Sequence, residues 1–538
     1  MARPNESALI FSLNSIVEWE HRQPVRQIIH STKKKRLNAL NMDFINTLSW
    51  LPNLTSHIST FLPLFLLFIA LTILLLLPLY NLTLHPLSSF PGPLLHRASP
   101  LPYALLLPSG RAPQHIYRLH TLYGPIVRIA PNHLSFTDPA AWRDMYGLHA
   151  PFLSTSPHSH PNLNTNTNTK GPGIENPKSS IWYRSLNPDD PHDLLNAPPE
   201  KHAMLRKALA VGFADRALKA QEGRIQRFVG VFVQKLGERA ARCASSESRS
   251  NMKTEGKGEG NVVDMVSWYN WVVFDIMGDL VFAEPFGCLE KERDHFFVEL
   301  FAEMLRPGVV LVAMQYVGLG WAVPLTLRWV GGRKALVSLK TELGRRVRGR
   351  IAKGEVVDDL FEGLLKHREE WGMSMDELEG TAHIVVAAGS ETTPTALSGA
   401  TNLLLRNPEK MERLKREIRS TFRSGEEITM ASVSRLPYLQ ACLNESLRMF
   451  PPATHGMVRE ASEGGTVVAG SFVPAGTLIE CQIWSMNFSP LNWTDPSSFQ
   501  PERFLHGQGE NASEIWKGDN VKALQPFQYG PRDCIGRK

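Results

Sequence analysis

Near its C-terminal end the sequence reads PFQYGPRDCIGRK, which sets Cys534 among groups that suit a soft, metal-binding thiolate. A thiolate can bind haem iron as the proximal ligand, donating electron density that favours O–O cleavage. Such a ligand loop has physical requirements. Its backbone must pass close to the porphyrin, which calls for glycines near the cysteine, here Gly530 and Gly536. A ring should shield the sulfur from water, and a cation should pair a haem propionate; Phe527 and Arg532 supply these. A lone cysteine followed by glycine would mean nothing, but here five defined positions in ten stand at fixed spacing.

Three further groups could do or support chemistry. In HIVVAAGSETTPTAL (His383 to Leu397) an apolar first half predicts a fully buried helix, and within it lie Gly389, Glu391, Thr392 and Thr393. Polar groups left unpaired there would be costly. Pro394 removes the helical partner of the Ser390 carbonyl, which predicts an opening or kink near Gly389. In NESLRMFPP, Glu445 and Arg448 stand three apart and share one helix face, a spacing also common in ordinary surface pairs. In EKHAMLRKAL, His202 and Arg206 stand four apart, and Arg459 follows in HGMVRE. Taken singly, these cations read equally well as solvated surface charges.

Together these residues resemble the cytochrome P-450 superfamily of haem-thiolate monooxygenases. Its signature F-x-x-G-x-R-x-C-x-G is met by Phe527, Gly530, Arg532, Cys534 and Gly536, and A-G-x-[ED]-T-[TS] by Ala388 to Thr393. The resemblance implies Cys534 as axial ligand of haem b (iron protoporphyrin IX). It makes Thr392 the holder of a water on the oxygen side of the haem and Glu391 the feeder of protons. DPSSFQPERF places Arg503 where the family has a partner arginine, so a Glu445–Arg448–Arg503 network beneath the ligand loop is implied. His202 stands where the family has tryptophan in W-x-x-x-R, so with Arg206 and Arg459 it is expected to hold the propionates. His383, Val386, Ala387, Thr454, His455 and Met457 are expected near the oxygen-binding face, and they imply a mostly apolar small organic substrate.

The elements that must position these groups follow from the rest of the chain. The 538 residues are 43% hydrophobic and 20% charged, normal for a chain with a sizeable core. A net charge of +6 fits an acidic protein partner or an anionic membrane surface. No dense basic cluster is interleaved with aromatics, so nucleic acid is excluded as a partner. The five cysteines have no metal-ligand or CxxC spacing, which argues against zinc and against a disulfide framework. Ile126 to Ile129 and His133 to Phe136 predict a hairpin across Pro131-Asn132, and Asp138-Pro139 opens a helix. Most of the remainder has helical periodicity. Ser154 to Ser180 and Cys243 to Asn261 read instead as mobile surface insertions.

No charged residue occurs from Ile58 to Leu84, and that stretch is long enough to cross a bilayer as one helix. Lys33 to Arg36 precede it, whereas from Met42 onward only Asp43 does, so residues 1–41 read as an extension outside the working protein. The expected order is thus an extension at 1–41, an anchor at 58–84, an extended proline-rich hinge at 85–105 and a haem-thiolate domain at 106–538. The fold class is mainly α with small β-sheets, a cytochrome P-450-like fold behind one transmembrane helix. In the family a further helix and pocket strands follow the ligand loop; here the sequence stops two residues after Gly536, so those are expected to be missing. The resemblance implies O2, an NADPH-dependent reductase and membrane lipid as partners, at the endoplasmic reticulum with the catalytic body in the cytosol. Fungal secondary metabolism or detoxification is the expected setting. Two other readings stay open: a haem-thiolate isomerase or dehydratase, and a non-functional truncated relic.

Overall fold

The computed structural model describes residues 64–65, 67–68, 72, 74–148, 174–183, 193–247, 262–329, 332–354, 359–505 and 514–537. They fall into two compact units divided between Leu77 and Pro78. In the first, the described residues from Leu64 onward are helical and expose their leucine and phenylalanine side chains. Among the described residues no helix is long and apolar enough to cross a membrane. Much of the Ile58–Leu84 stretch and all of residues 1–41 lie outside them.

The second unit is mainly helical. Among its helices are α1 (Ala112–Tyr123), α2 (Ala140–Tyr146), α3 (Pro199–Ala210), α4 (Met265–Phe282), α5 (Phe296–Tyr316), α6 (Met375–Arg406) and α7 (Pro437–Met449). Its strands are β1 (Ile126–Ala130), β2 (His133–Phe136), β3 (Arg459–Glu460), β4 (Thr466–Val468), β5 (Ser471–Val473) and β6 (Leu478–Cys481). The expected hairpin is β1–β2, and Asp138 opens α2 by accepting from the Ala140 N–H at 2.8 Å. The main sheet has the order β1-β2-β6-β3, and β4 pairs with β5. β2 and β6 run parallel, pairing Leu134 with Ile479 and Phe136 with Cys481. Every residue of both strands is buried, as expected of strands covered on both faces.

Two expectations fail here. The stretch 85–105 is not an extended hinge, because it carries helices at Leu94–Ala98 and Leu101–Leu106. Pro93 and Pro100 occupy the N-cap positions and Pro102 the first turn, where a missing N–H costs nothing. The segment is docked on β1: His96 Nδ1 lies 2.8 Å from the Ile129 carbonyl oxygen, and Arg128 N–H donates to the Pro91 carbonyl at 2.7 Å. Likewise, Ser154 to Ser180 is not wholly a surface insertion. Asn176 and Ser179 are fully buried, and the segment is stitched to the β3 region by Ser179 N–H to Val458 O (3.1 Å) and Glu460 N–H to Pro177 O (2.9 Å). Of the other insertion, residues 248–261 lie outside the described residues, while Cys243 to Glu247 continue the helix Asp215–Glu247.

The largest core cluster joins α3 through Leu205, α4 through Phe274 and α6 through Leu378, Val385 and Val386. Ile535, next to Cys534, packs on this same cluster. The ligand loop therefore rests on the core that also supports α6.

Candidate active site

The loop around Cys534 is tied by its own backbone. Cys534 N–H donates to the Phe527 carbonyl (2.8 Å) and Asp533 N–H to the Gly530 carbonyl (3.1 Å). Gly530 has φ +84°, and a Cβ there would lie 1.8 Å from the Tyr146 carbonyl oxygen at the end of α2, so only glycine fits. At Gly536 a Cβ would meet only the Cys534 sulfur, at 3.8 Å, so the chain itself leaves room beside the thiol. Cys534 is exposed, whereas Cys288, Cys442 and Cys481 are buried. Burial holds the Cys288 and Cys442 thiols up at about 12, inert as ligands. Surrounding atoms push the Cys534 thiol up from its ordinary value, opposed by the Gly536 N–H. No cluster of three or more ligating side chains occurs among the described residues.

Beside the loop lies a cradle of cations. Arg532 is buried, donating to Glu175 Oε1 (2.8 Å) and the Ala197 carbonyl (3.0 Å). Arg459 is buried too, with Nη1 donating to the Asn176 carbonyl (3.2 Å) and its Nε without a partner. His202 is buried on α3, where desolvation and the charges of Arg532, Lys178, Arg206 and Arg459 press its pKa down to about 3. It is therefore a neutral ring that can donate one hydrogen bond. Arg206 contacts Asp533 through the backbone carbonyl (2.5 Å) and the carboxylate, and so ties the ligand loop to α3. An open cavity of about 550 Å³ adjoins this region, lined by Glu175, His202, Arg206 and Pro531 among others. A buried guanidinium nitrogen without a partner, beside an excess of positive charge, calls for an anion; carboxylates of a haem would meet that demand.

Helix α6 starts with a capping box in which Ser374 and Glu377 satisfy each other's backbone N–H groups. It is not fully buried as expected. Leu378, Ala382, Val385 and Val386 face the core, whereas Ala388, Thr392 and Thr393 are exposed and Glu391 is half-buried. Burial raises the Glu391 pKa, so its carboxyl keeps a proton at higher pH than a solvated glutamate. Val386 packs in the core and so does not line an open face. The helix also runs unbroken past Pro394. Its loosened turn is held by hydroxyls donating back to carbonyls: Ser390 to Val386 (2.6 Å), Thr392 to Ala388 (2.6 Å) and Thr395 to Glu391 (2.7 Å). Gly389 allows close packing, since a Cβ there would lie 2.6 Å from the Met277 thioether.

Glu445, Arg448 and Arg503 come together in full burial. Glu445 accepts from Arg448 Nε (2.7 Å) and Nη2 (2.8 Å), from Arg503 Nε (3.3 Å) and from the Gln500 N–H (2.9 Å). Sequence reasoning missed the fourth member: Asp519 is the second carboxylate on Arg503. No motif marks it, because its partner is reached only through the fold. Glu175 and Lys178 were missed because they adjoin the run NLNTNTNTKGPG, which reads as a loop.

The family model described as Cytochrome P450 matches residues 167–538. The chain belongs to the cytochrome P450 family. It is similar to the cytochrome P450 monooxygenase tpeC of Talaromyces stipitatus, with 39% identity over 85% of this chain and 82% of that protein. It is 34% identical to the cytochrome P450 monooxygenase prhB of Penicillium brasilianum over 85% of each chain. To the averantin hydroxylase of Dothistroma septosporum it is 34% identical, over 85% of this chain and 78% of that protein. This P450 is thus a haem-thiolate monooxygenase, an oxidoreductase that uses haem iron, O2, a redox partner and an organic substrate. Its mainly helical body with small sheets is the fold of that family.

Proposed function

We propose that this P450 holds haem b through Cys534 and inserts one oxygen atom from O2 into a mostly apolar small organic substrate. NADPH supplies the electrons through a reductase that docks on its basic surface. The setting we propose is fungal secondary metabolism or detoxification, and the name of one relative, averantin hydroxylase, supports hydroxylation as the type of reaction. The observation that carries the reading is Cys534, an exposed thiol in a loop whose turn at position 530 only glycine can make. When bound, the haem supplies oxygen activation, with the thiolate favouring O–O cleavage. The chain's own residues do the rest. Arg532, Arg459 and His202 hold the propionates, and Arg206 fixes the loop through Asp533. Thr392, exposed on α6, orients a water, and Glu391, its carboxyl pKa raised by burial, passes protons toward it. That acid beside a hydroxyl also favours a monooxygenase over an isomerase or dehydratase, which consumes no protons.

Anchoring at the endoplasmic reticulum by residues 58–84, with the body in the cytosol, is part of the same proposal. It is supported by exposed Leu94, Leu95, Leu105, Trp321 and Leu325 on the second unit, apolar side chains that suit a lipid surface. The test is turnover of an apolar aromatic panel by the full chain with a P450 reductase and NADPH under isotopically heavy O2. One heavy oxygen per product supports the reading. Oxygen drawn from water, or rearrangement of an organic peroxide without reductase, overturns it.

A further inference from the structure

We propose that Lys178 is a ligand-contacting cation of the anion cradle, placed beside Arg459 to take a carboxylate of a bound dicarboxylate. This rests on the reading that the cradle receives haem propionates, and it adds a residue that no motif marks. The first observation is backbone geometry. Lys178 and Arg459 face each other across an isolated antiparallel bridge, flanked by the bonds from Ser179 N–H to Val458 O and from Glu460 N–H to Pro177 O. Residues opposed in this way project their side chains to the same face, close together. Two like charges there are destabilising, and an anion between them would remove the conflict.

The second observation is how the local acids are used. Glu175 accepts from Arg532 through Oε1 (2.8 Å), while its buried Oε2 has no hydrogen-bond partner and stands 4.0 Å from Arg459 Nη1. Asp193 accepts from the backbone N–H groups of Leu195 (2.7 Å) and Asn196 (3.0 Å). Asp533 is held by Arg206. Lys178 itself is half-buried, with Nζ donating to the Leu195 carbonyl (2.5 Å) and lying 5.2 Å from the centre of the Tyr183 ring. Those contacts fix its direction and use one of three ammonium protons. Burial, with Arg532 and Arg459 close by and opposed by Glu175 and Asp193, brings its pKa down to about 7.

The test compares two ligands with the same ring: haem, and haem dimethyl ester, which lacks the carboxylates. Each is titrated into the apo form of the full chain, following quenching of tryptophan fluorescence, with Trp182 on the same segment. The Lys178→Met variant should bind haem roughly 10-fold more weakly, the loss expected for one charge-assisted hydrogen bond, while ester binding stays unchanged. Lys178→Arg should restore haem binding to within about 2-fold, because the charge and donors are kept. Equal losses for haem and ester would make Lys178 a structural residue and overturn the proposal, as would no loss for either. Should the wild-type chain bind both ligands equally, the cradle reading itself falls, and the proposal with it.

Discussion

Replacing Glu445 by alanine removes one carboxylate that four donors share in full burial, at 2.7, 2.8, 2.9 and 3.3 Å. Arg503 keeps Asp519 as counter-ion, but Arg448 keeps only carbonyl oxygens, those of Asn487 (2.7 Å), Pro496 (2.8 Å) and Ser498 (3.3 Å). A buried guanidinium without a counter-ion is the situation in which breaking a pair costs about 3–5 kcal/mol, against about 0–1 kcal/mol for an exposed pair. Global stabilities are about 5–15 kcal/mol, so the variant should lose a large share of its margin. Urea unfolding followed by tryptophan fluorescence reads this directly. Trp493 lies 5.5 Å from the Arg448 guanidinium and 5.7 Å from that of Arg503. With a slope of about 3 kcal/mol per molar urea, the midpoint should fall by about 1 M or more. A fall worth less than about 1 kcal/mol would refute the reasoning, since the network would then behave as a surface pair.

Other outcomes follow from the same geometry. Asp519→Asn should cost less than Glu445→Ala, about 1–3 kcal/mol, because Arg503 keeps Glu445; the same unfolding assay ranks the two. Glu391→Gln should leave haem content unchanged and lower turnover by roughly 100-fold, measured as product formed per haem, because the half-buried acid is removed from the proton path. Burial holds His120 at about 4 and His133 at about 3, both below the 6.5 of an unfolded histidine. Above pH 6.5 these rings are neutral folded or unfolded; as pH falls below that, the unfolded chain takes up the protons first and stability drops. At pH 4, His120 alone should account for about 3 kcal/mol of that loss. His120→Gln should flatten the dependence of the unfolding midpoint on pH between 6.5 and 4, and an unchanged slope would refute the assignment.

What could be read from the sequence is what sequence neighbours determine. The Cys534 loop closes within ten residues, so its requirements appear as a spacing, and the hairpin of β1 and β2 is announced by Pro131-Asn132. Glu445 and Arg448 are neighbours on one helical face. What was hidden depends on distant pairing. Asp519 meets Arg503 only through the fold, and β2 pairs with β6 across most of the chain. Lys178 gains its role by lying opposite Arg459, while its own neighbourhood reads as a polar loop. The exposed stripe of α6 was missed for a related reason: Ala388 and Thr392 stand four apart on one face, but an alanine-rich stretch gives no contrast between faces. Prolines misled at 85–105, where Pro93, Pro100 and Pro102 sit at helix starts instead of interrupting a helix.

The central claim is that the Cys534 thiolate binds haem iron. The direct measurement is the carbon monoxide difference spectrum of the reduced, purified chain beside a Cys534→Ser variant. The wild type should show a strongly red-shifted Soret band that is absent from the variant. An unshifted band in the wild type, or one that survives the substitution, would contradict the claim.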